Sequence, residues 1–226
     1  MRGPRNTGSA VMRRHDLAIV RASAWRSLVH AREDLAALPL VAGWVDNGWP
    51  LIGRRALPGE RGGVTLGLPL PPFAGKRRLS FVMHQEDILR TAPPPPLSLV
   101  SGWAPLPWRP TMDRIVALSS RHSVEARLFG SLAWHALTGL NYLTDRSDLD
   151  LLLQVNADTD IRGFVTELAH IENLAPMRLD GELIRRDGAA VNWREIHTGA
   201  SEILVKSPKQ TELMDARLYL RGAGAS

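Results

Sequence analysis

Two aspartates, Asp148 and Asp150, stand one residue apart at the head of the apolar run Leu149–Val155. Successive side chains of an extended strand alternate in direction, so both carboxylates face one side, roughly 6–7 Å apart. Leu149, Leu151 and Leu153 face the other side, toward a core. Neighbouring carboxylates repel each other at neutral pH. A hard divalent cation removes that conflict, and Mg²⁺ accepts one or two carboxylates together with substrate phosphate oxygens. The chemistry this pattern suits is metal-assisted in-line displacement at phosphorus, in which a third carboxylate would allow two ions about 3.5–4 Å apart. The competing reading is a strand edge carrying two solvated acids, a common guard against edge-to-edge pairing.

Upstream, an apolar strand over Val124–Phe129 runs into Gly130 and Ser131 and then into a helix over Ser131–Leu137, with Ser131 as its N-cap. Glycine lets backbone approach a ligand closely. The helix N-terminus behind it offers free N–H groups and a partial positive charge, which suit phosphate. The alternative is a purely structural turn.

These residues need elements to hold them. From Met112 onward the sequence predicts a helix at Met112–Ser120, the strand and helix just described, and a turn at Asp145–Asp148. The strand Leu149–Val155 follows, then a helix capped by Asp158 or Asp160 that runs to about His170. Strands at Met177–Ile184 and Val191–His197 flank a hairpin turn at Asp187-Gly188. A strand at Ile203–Val205 and a terminal helix at Pro208–Tyr219 complete the order. Such alternation predicts an α/β (α+β) domain with a mixed sheet and flanking helices. Residues 13–110 hold most of the prolines and five of the seven tryptophans, and read as shorter strands and loops. Strands are expected at His15–Ile19, Leu51–Arg54, Val64–Leu68 and Arg78–His84, with the end of a helix and a turn over Leu35–Gly48. The run Pro93–Pro96 reads as polyproline II and, with Gly102, Pro105, Pro107 and Pro110, as a linker. The organisation expected is a flexible tail (1–12), a smaller strand- and loop-rich substrate- or partner-binding domain (13–110) and a catalytic domain (111–226).

Bulk properties narrow the class. The chain of 226 residues has no cysteine, which excludes disulfides, cysteine-ligated zinc, iron–sulfur clusters and thiol catalysis and fits a cytoplasmic location. No apolar run is long enough for a membrane span. The net charge of +5 and pI near 10.3 favour an anionic partner, and arginine outnumbers lysine, which suits bidentate phosphate contacts. A basic balance also fits a nucleic-acid-binding module, but no basic stretch is interleaved with aromatics as that reading needs.

Gly-Ser at a strand-to-helix turn, followed by Asp-x-Asp entering an apolar strand, resembles the DNA polymerase beta-like nucleotidyltransferases. Sixteen residues separate Ser131 from Asp148, longer than is usual there, and Thr138–Arg146 reads as an inserted loop. The resemblance implies a third acid on a later strand. Asp180, centred in its strand, is preferred over Glu182, which shares its face, and over Glu195.

The stretch Arg127–Leu152, loop included, is similar to the malonate decarboxylase holo-acyl-carrier-protein synthases, also called phosphoribosyl-dephospho-CoA transferases. Arg14-His-Asp-Leu17, Gly67–Pro72, Gly75–Arg78, Leu179–Leu183 and Ala190–Glu195 extend the likeness over roughly residues 13–220. It implies a donor, 2'-(5''-triphosphoribosyl)-3'-dephospho-CoA, and an acceptor serine on the apo acyl-carrier subunit of malonate decarboxylase. Diphosphate would leave as the serine attacks the α-phosphorus. Asp148, Asp150 and Asp180 would hold Mg²⁺ (or Mn²⁺), and Gly130 and Ser131 would seat phosphates. Lys76, Arg77 and Arg78 would grip the donor or dock an acidic carrier, and Arg146 and Ser147 would touch phosphate; solvated turns explain both sets equally well. Trp134 has a core reading and an adenine-stacking one, with the core favoured. A different nucleotidyltransferase using an NTP is the main alternative.

Overall fold

A computed structural model describes residues 12–207 and 210–222. The expected tail lies outside the described residues up to position 11, as does Pro208, where the terminal helix was expected to begin. The chain divides into two units. The smaller comprises the residues up to Leu70 and Lys76–Pro93; the larger comprises Pro71–Gly75 and everything from Pro94 onward.

The smaller unit is an antiparallel sheet with three helices. Its elements are β1 (Leu17–Val20), α1 (Ala22–His30), α2 (Glu33–Ala36), α3 (Pro39–Ala42), β2 (Leu51–Gly53), β3 (Val64–Pro69), β4 (Arg78–Met83) and β5 (Ile88–Ala92). The strand order is β4-β3-β2-β1-β5. The four expected strands are present; α1 and β5 were not anticipated. Trp25 and Val29, four apart on α1, are buried, and the Trp25 indole N–H donates to the Val41 carbonyl at 2.9 Å. Trp44 is buried likewise, donating to the Pro50 carbonyl. Burying indoles demands such partners.

Arg54 is locked inside this unit. It donates to both Glu60 carboxylate oxygens, at 2.6 and 2.5 Å, and to the carbonyls of Leu66 and Phe81. Those donors hold the Glu60 carboxyl down to about 2, first through Arg54 and then through the Leu57 N–H. A depressed carboxylate pKa stabilises the fold above its unfolded value and loses that contribution as pH falls through the folded value. Glu60→Gln should therefore melt below the unaltered chain at neutral pH, with the gap closing between about pH 4.5 and 2. Thermal melts across that range check it; a gap independent of pH would refute the ion-pair account.

The larger unit builds a mixed sheet, as expected, with six strands where the sequence reading gives five. Its elements are α4 (Leu97–Val100), α5 (Arg109–Arg121), β6 (Glu125–Leu128), α6 (Gly130–Thr138), β7 (Leu149–Gln154), α7 (Ile161–Glu172), β8 (Leu179–Ile184), β9 (Ala190–Asn192), α8 (Trp193–His197), β10 (Glu202–Lys206), β11 (Thr211–Asp215) and α9 (Ala216–Gly222). The order is β11-β10-β9-β8-β7-β6, with β7 and β8 parallel and the other pairs antiparallel. The proline-rich stretch after Pro93 contributes Leu97, Val100, Ala104 and Trp108 to this unit's core. Helix α7 buries Ile161, Phe164, Val165 and Leu168, the spacing of one apolar stripe. Asp160 caps it by accepting from the Gly163 N–H at 3.0 Å. The Asp187-Gly188 hairpin forms as expected, with Gly188 at φ 83°.

Three local expectations fail. Helix α6 begins at Gly130, with extended Phe129 before it and no side-chain cap, so Ser131 lies within the first turn rather than at the N-cap. The segment Val191–His197 is not one strand, because Asn192 ends β9 and caps α8 by accepting from the Arg194 N–H. The final segment is not a single helix: Thr211–Asp215 pairs with β10 first. Among the described residues no helix is long and apolar enough to cross a membrane.

Candidate active site

The site is organised by β7 and β8. Leu149, Leu151 and Leu153 are fully buried, each stabilising the fold by about 1.5–3 kcal/mol relative to exposure. Their burial fixes the opposite face of β7 outward, where Asp150 is half-buried. In the parallel register Asp150 pairs with Asp180. Side chains at paired positions share a face, with strands roughly 4.8 Å apart, so these carboxylates are neighbours. Asp148 directly precedes β7, half-buried, at the level of Arg178 one step before β8, where the Leu149 N–H meets the Arg178 carbonyl.

Gly130 closes the site from the side. It has φ +66°, and a Cβ placed on it would lie 1.8 Å from Asp150 Oδ2. The Asp150 carboxylate therefore rests against the first residue of α6, where a helix presents N–H groups without intrahelical partners. The Asp150 carbonyl accepts from the Phe129 N–H at 3.1 Å, which ties the same strand to the helix entry.

The three candidates for a third acid separate. Asp180 Oδ1 accepts from its neighbour's N–H and from the Asn192 amide at 3.2 Å, and remains on the face shared with Asp150. Glu182 is buried and ion-paired to Lys206 at 2.8 Å. Glu195 lies on α8 rather than on a strand, and its carboxylate accepts from the Leu204 N–H at 2.7 Å.

Arg194 and Glu172 were not foreseen. The Arg194 guanidinium makes a two-pronged pair with Glu172, stacks over Trp193 at 4.5 Å and donates to the Leu179 carbonyl at 2.7 Å. Glu172 also accepts the Leu179 N–H at 2.9 Å. Both backbone groups of the residue before Asp180 are thus fixed by one ion pair. Arg194 holds the Glu172 carboxyl below the usual range. The Arg194 pKa is raised, first by Glu172 and then, after the opposing effect of burial, by the charges of Asp180 and Asp148, so its cation partly offsets the repulsion among the acids. Asn192, which bridges Asp180 to the start of α8, was likewise missed. Only the quoted Ala190–Glu195 stretch hinted at either residue.

Of the remaining expected residues, Arg146 and Ser147 lie next to Asp148 and the others elsewhere. Arg146 is exposed, and Ser147 belongs to a turn in which its hydroxyl accepts from the Thr144 N–H. Lys76, Arg77 and Arg78 are exposed in the smaller unit, the first two before β4 and Arg78 as its first residue. Trp134 is buried and stacked on Tyr142, a core position. Among the described residues no three His, Asp or Glu side chains form a ready-made metal site. The donor set still suits magnesium, because paired carboxylates leave the other positions to phosphate oxygens and water.

Comparison with known proteins gives a consistent result. The sequence profile of the phosphoribosyl-dephospho-CoA transferase MdcG N-terminal domain matches residues 13–94, and that of the MdcG C-terminal domain matches residues 96–217. A phosphoribosyl-dephospho-CoA transferase of Bradyrhizobium diazoefficiens is 51% identical over 226 residues, covering 100% of both chains. One from Xanthomonas euvesicatoria is 37% identical over 203 residues, 89% of this chain and 93% of that protein. One from Pseudomonas putida is 31% identical over 168 residues, 74% and 79% of the two chains. No solved structure matches.

Proposed function

The chain belongs to the phosphoribosyl-dephospho-CoA transferase family, and we propose that it moves the phosphoribosyl-dephospho-CoA group of a triphosphorylated donor onto a serine of the apo acyl-carrier subunit of malonate decarboxylase. The observation that carries this reading is the Asp150–Asp180 pair, in register on one face with Asp150 packed against the helix-start glycine.

In the proposed reaction the serine O–P bond forms at the α-phosphorus as the bond to diphosphate breaks, and the hydroxyl proton is released to solvent. Negative charge builds on the leaving oxygen. The N–H groups at the start of α6 would receive it, and the protein would act chiefly by positioning and charge stabilisation. Asp148, Asp150 and Asp180 would hold Mg²⁺ or Mn²⁺. When bound, such an ion neutralises triphosphate charge. The Glu172–Arg194 pair would keep Asp180 level with Asp150, and Asn192 would fix the rotation of the Asp180 carboxylate.

The test is intact-mass measurement of an apo carrier subunit incubated with this protein, the triphosphate donor and Mg²⁺. A gain equal to one phosphoribosyl-dephospho-CoA group is expected; EDTA should prevent it, and Mg²⁺ or Mn²⁺ should restore it. Labelling by ATP without use of the donor would replace this reading with that of another nucleotidyltransferase.

A further inference from the structure

A cleft of about 340 Å³ opens beside Asp148 in the larger unit. It is within the size range of small-molecule sites. Trp108, Leu143 and Met177 give it an apolar part, and Arg146 and Arg178 line it alongside Asp145 and Asp148. The two arginines reach it from different segments, the turn before β7 and the residue before β8. Both are exposed. Several other arginines of this unit are tied up in ion pairs: Arg121 with Glu167, Arg127 with Glu125, Arg185 with Asp187, Arg194 with Glu172. Among the described residues, Arg146 and Arg178 make no such pair. Two available guanidiniums beside an apolar part select a ligand with a flat or aliphatic body and an attached anionic group.

Resting on the transfer reading above, we propose that this cleft binds the adenosine 5'-diphosphate portion of the donor, with the heterocycle against Trp108 and Met177 and the diphosphate between Arg146 and Arg178. The reacting triphosphate then lies on the other side of Asp148, toward Gly130. Arg178 precedes Asp180 by two residues and its carbonyl accepts the Leu149 N–H, which brings the cleft up against the carboxylates. The donor is thereby held by a part that takes no part in bond breaking, which is where binding energy can position a reacting centre.

Dephospho-CoA itself, which lacks the triphosphoribosyl arm, is the probe. Calorimetric titration into the full chain needs neither carrier nor metal. Dephospho-CoA should bind, and Arg146→Ala or Arg178→Ala should each weaken it by about tenfold or more, as expected for loss of a charge-assisted contact. Arg178→Lys should recover part of that loss. The proposal is overturned if unaltered protein does not bind dephospho-CoA, or if the double alanine variant binds it within about twofold of normal. Failure of the transfer reading shows instead as no mass gain on the carrier, whatever the calorimetry gives.

Discussion

On the proposed reaction, Asp148→Asn and Asp150→Asn should each slow transfer by about a thousandfold or more while leaving the fold in place, because several kcal/mol of charge stabilisation at the transferring phosphoryl group would rest on a cation held by these carboxylates. Asparagine keeps the shape of the side chain, which matters most at Asp150, where an oxygen already packs on Gly130. It removes the charge that a hard cation needs. Stability should barely move. Each change relieves repulsion between neighbouring acids, while Asp148→Asn also gives up attraction to Arg194. These opposing contributions act on half-buried groups and are individually small. Single-turnover rates read from the mass of the carrier, with circular dichroism melts alongside, measure both quantities. If both variants stay within about tenfold of the normal rate, the carboxylates do not serve the reaction and the proposed chemistry fails.

What the sequence revealed depended on distance along the chain. The Asp-x-Asp pair, an acidic cap at Asp158 or Asp160 and the Asp187-Gly188 hairpin are local, and alternation or turn chemistry suffices to find them, though not to choose Asp160. The partnership of Asp150 with Asp180 is set by the parallel register of two strands thirty residues apart, which composition does not encode. Asp180 was preferred from its centred position, whereas the burial of Glu182 against Lys206 becomes visible only once β10 is placed. Glu172 and Arg194 lie 22 residues apart and meet only because α7 and α8 converge on the start of β8. The errors have local causes. Thr211–Asp215 contains good helix formers, yet pairing with β10 decides its state. Helix α1 starts behind Arg21 without a side-chain cap, so no start signal marks it. Strand β5 shows no alternation, since Leu89, Arg90 and Thr91 are all exposed.

Gly130→Ala should also disable the enzyme, and a second glycine separates the reasons. An L side chain at φ +66° is strained by about 1–2 kcal/mol. The same backbone cost applies at Gly139, at the other end of α6, where φ is +71°. Space around them differs. Nothing lies within 4 Å of a Cβ at Gly139, whereas at Gly130 the new carbon meets Asp150 at Oδ2, Cγ and Cβ, at 1.8, 2.4 and 2.8 Å. The Asp150 side chain or the helix start must therefore shift by more than an ångström, a displacement that costs about a hundredfold in rate or more when it falls on a group that positions the reaction. Gly139→Ala is expected to lose stability alone and keep transfer near normal. Gly130→Ala is expected to lose a similar amount of backbone stability, plus the clash, plus the activity. The double variant Gly130→Ala/Asp150→Gly should regain melting temperature over Gly130→Ala, because the clash is gone, and should remain inactive, because the carboxylate is gone as well. Equal rate losses at Gly130 and Gly139 would mean that strain in α6, rather than contact between the helix entry and Asp150, governs the site.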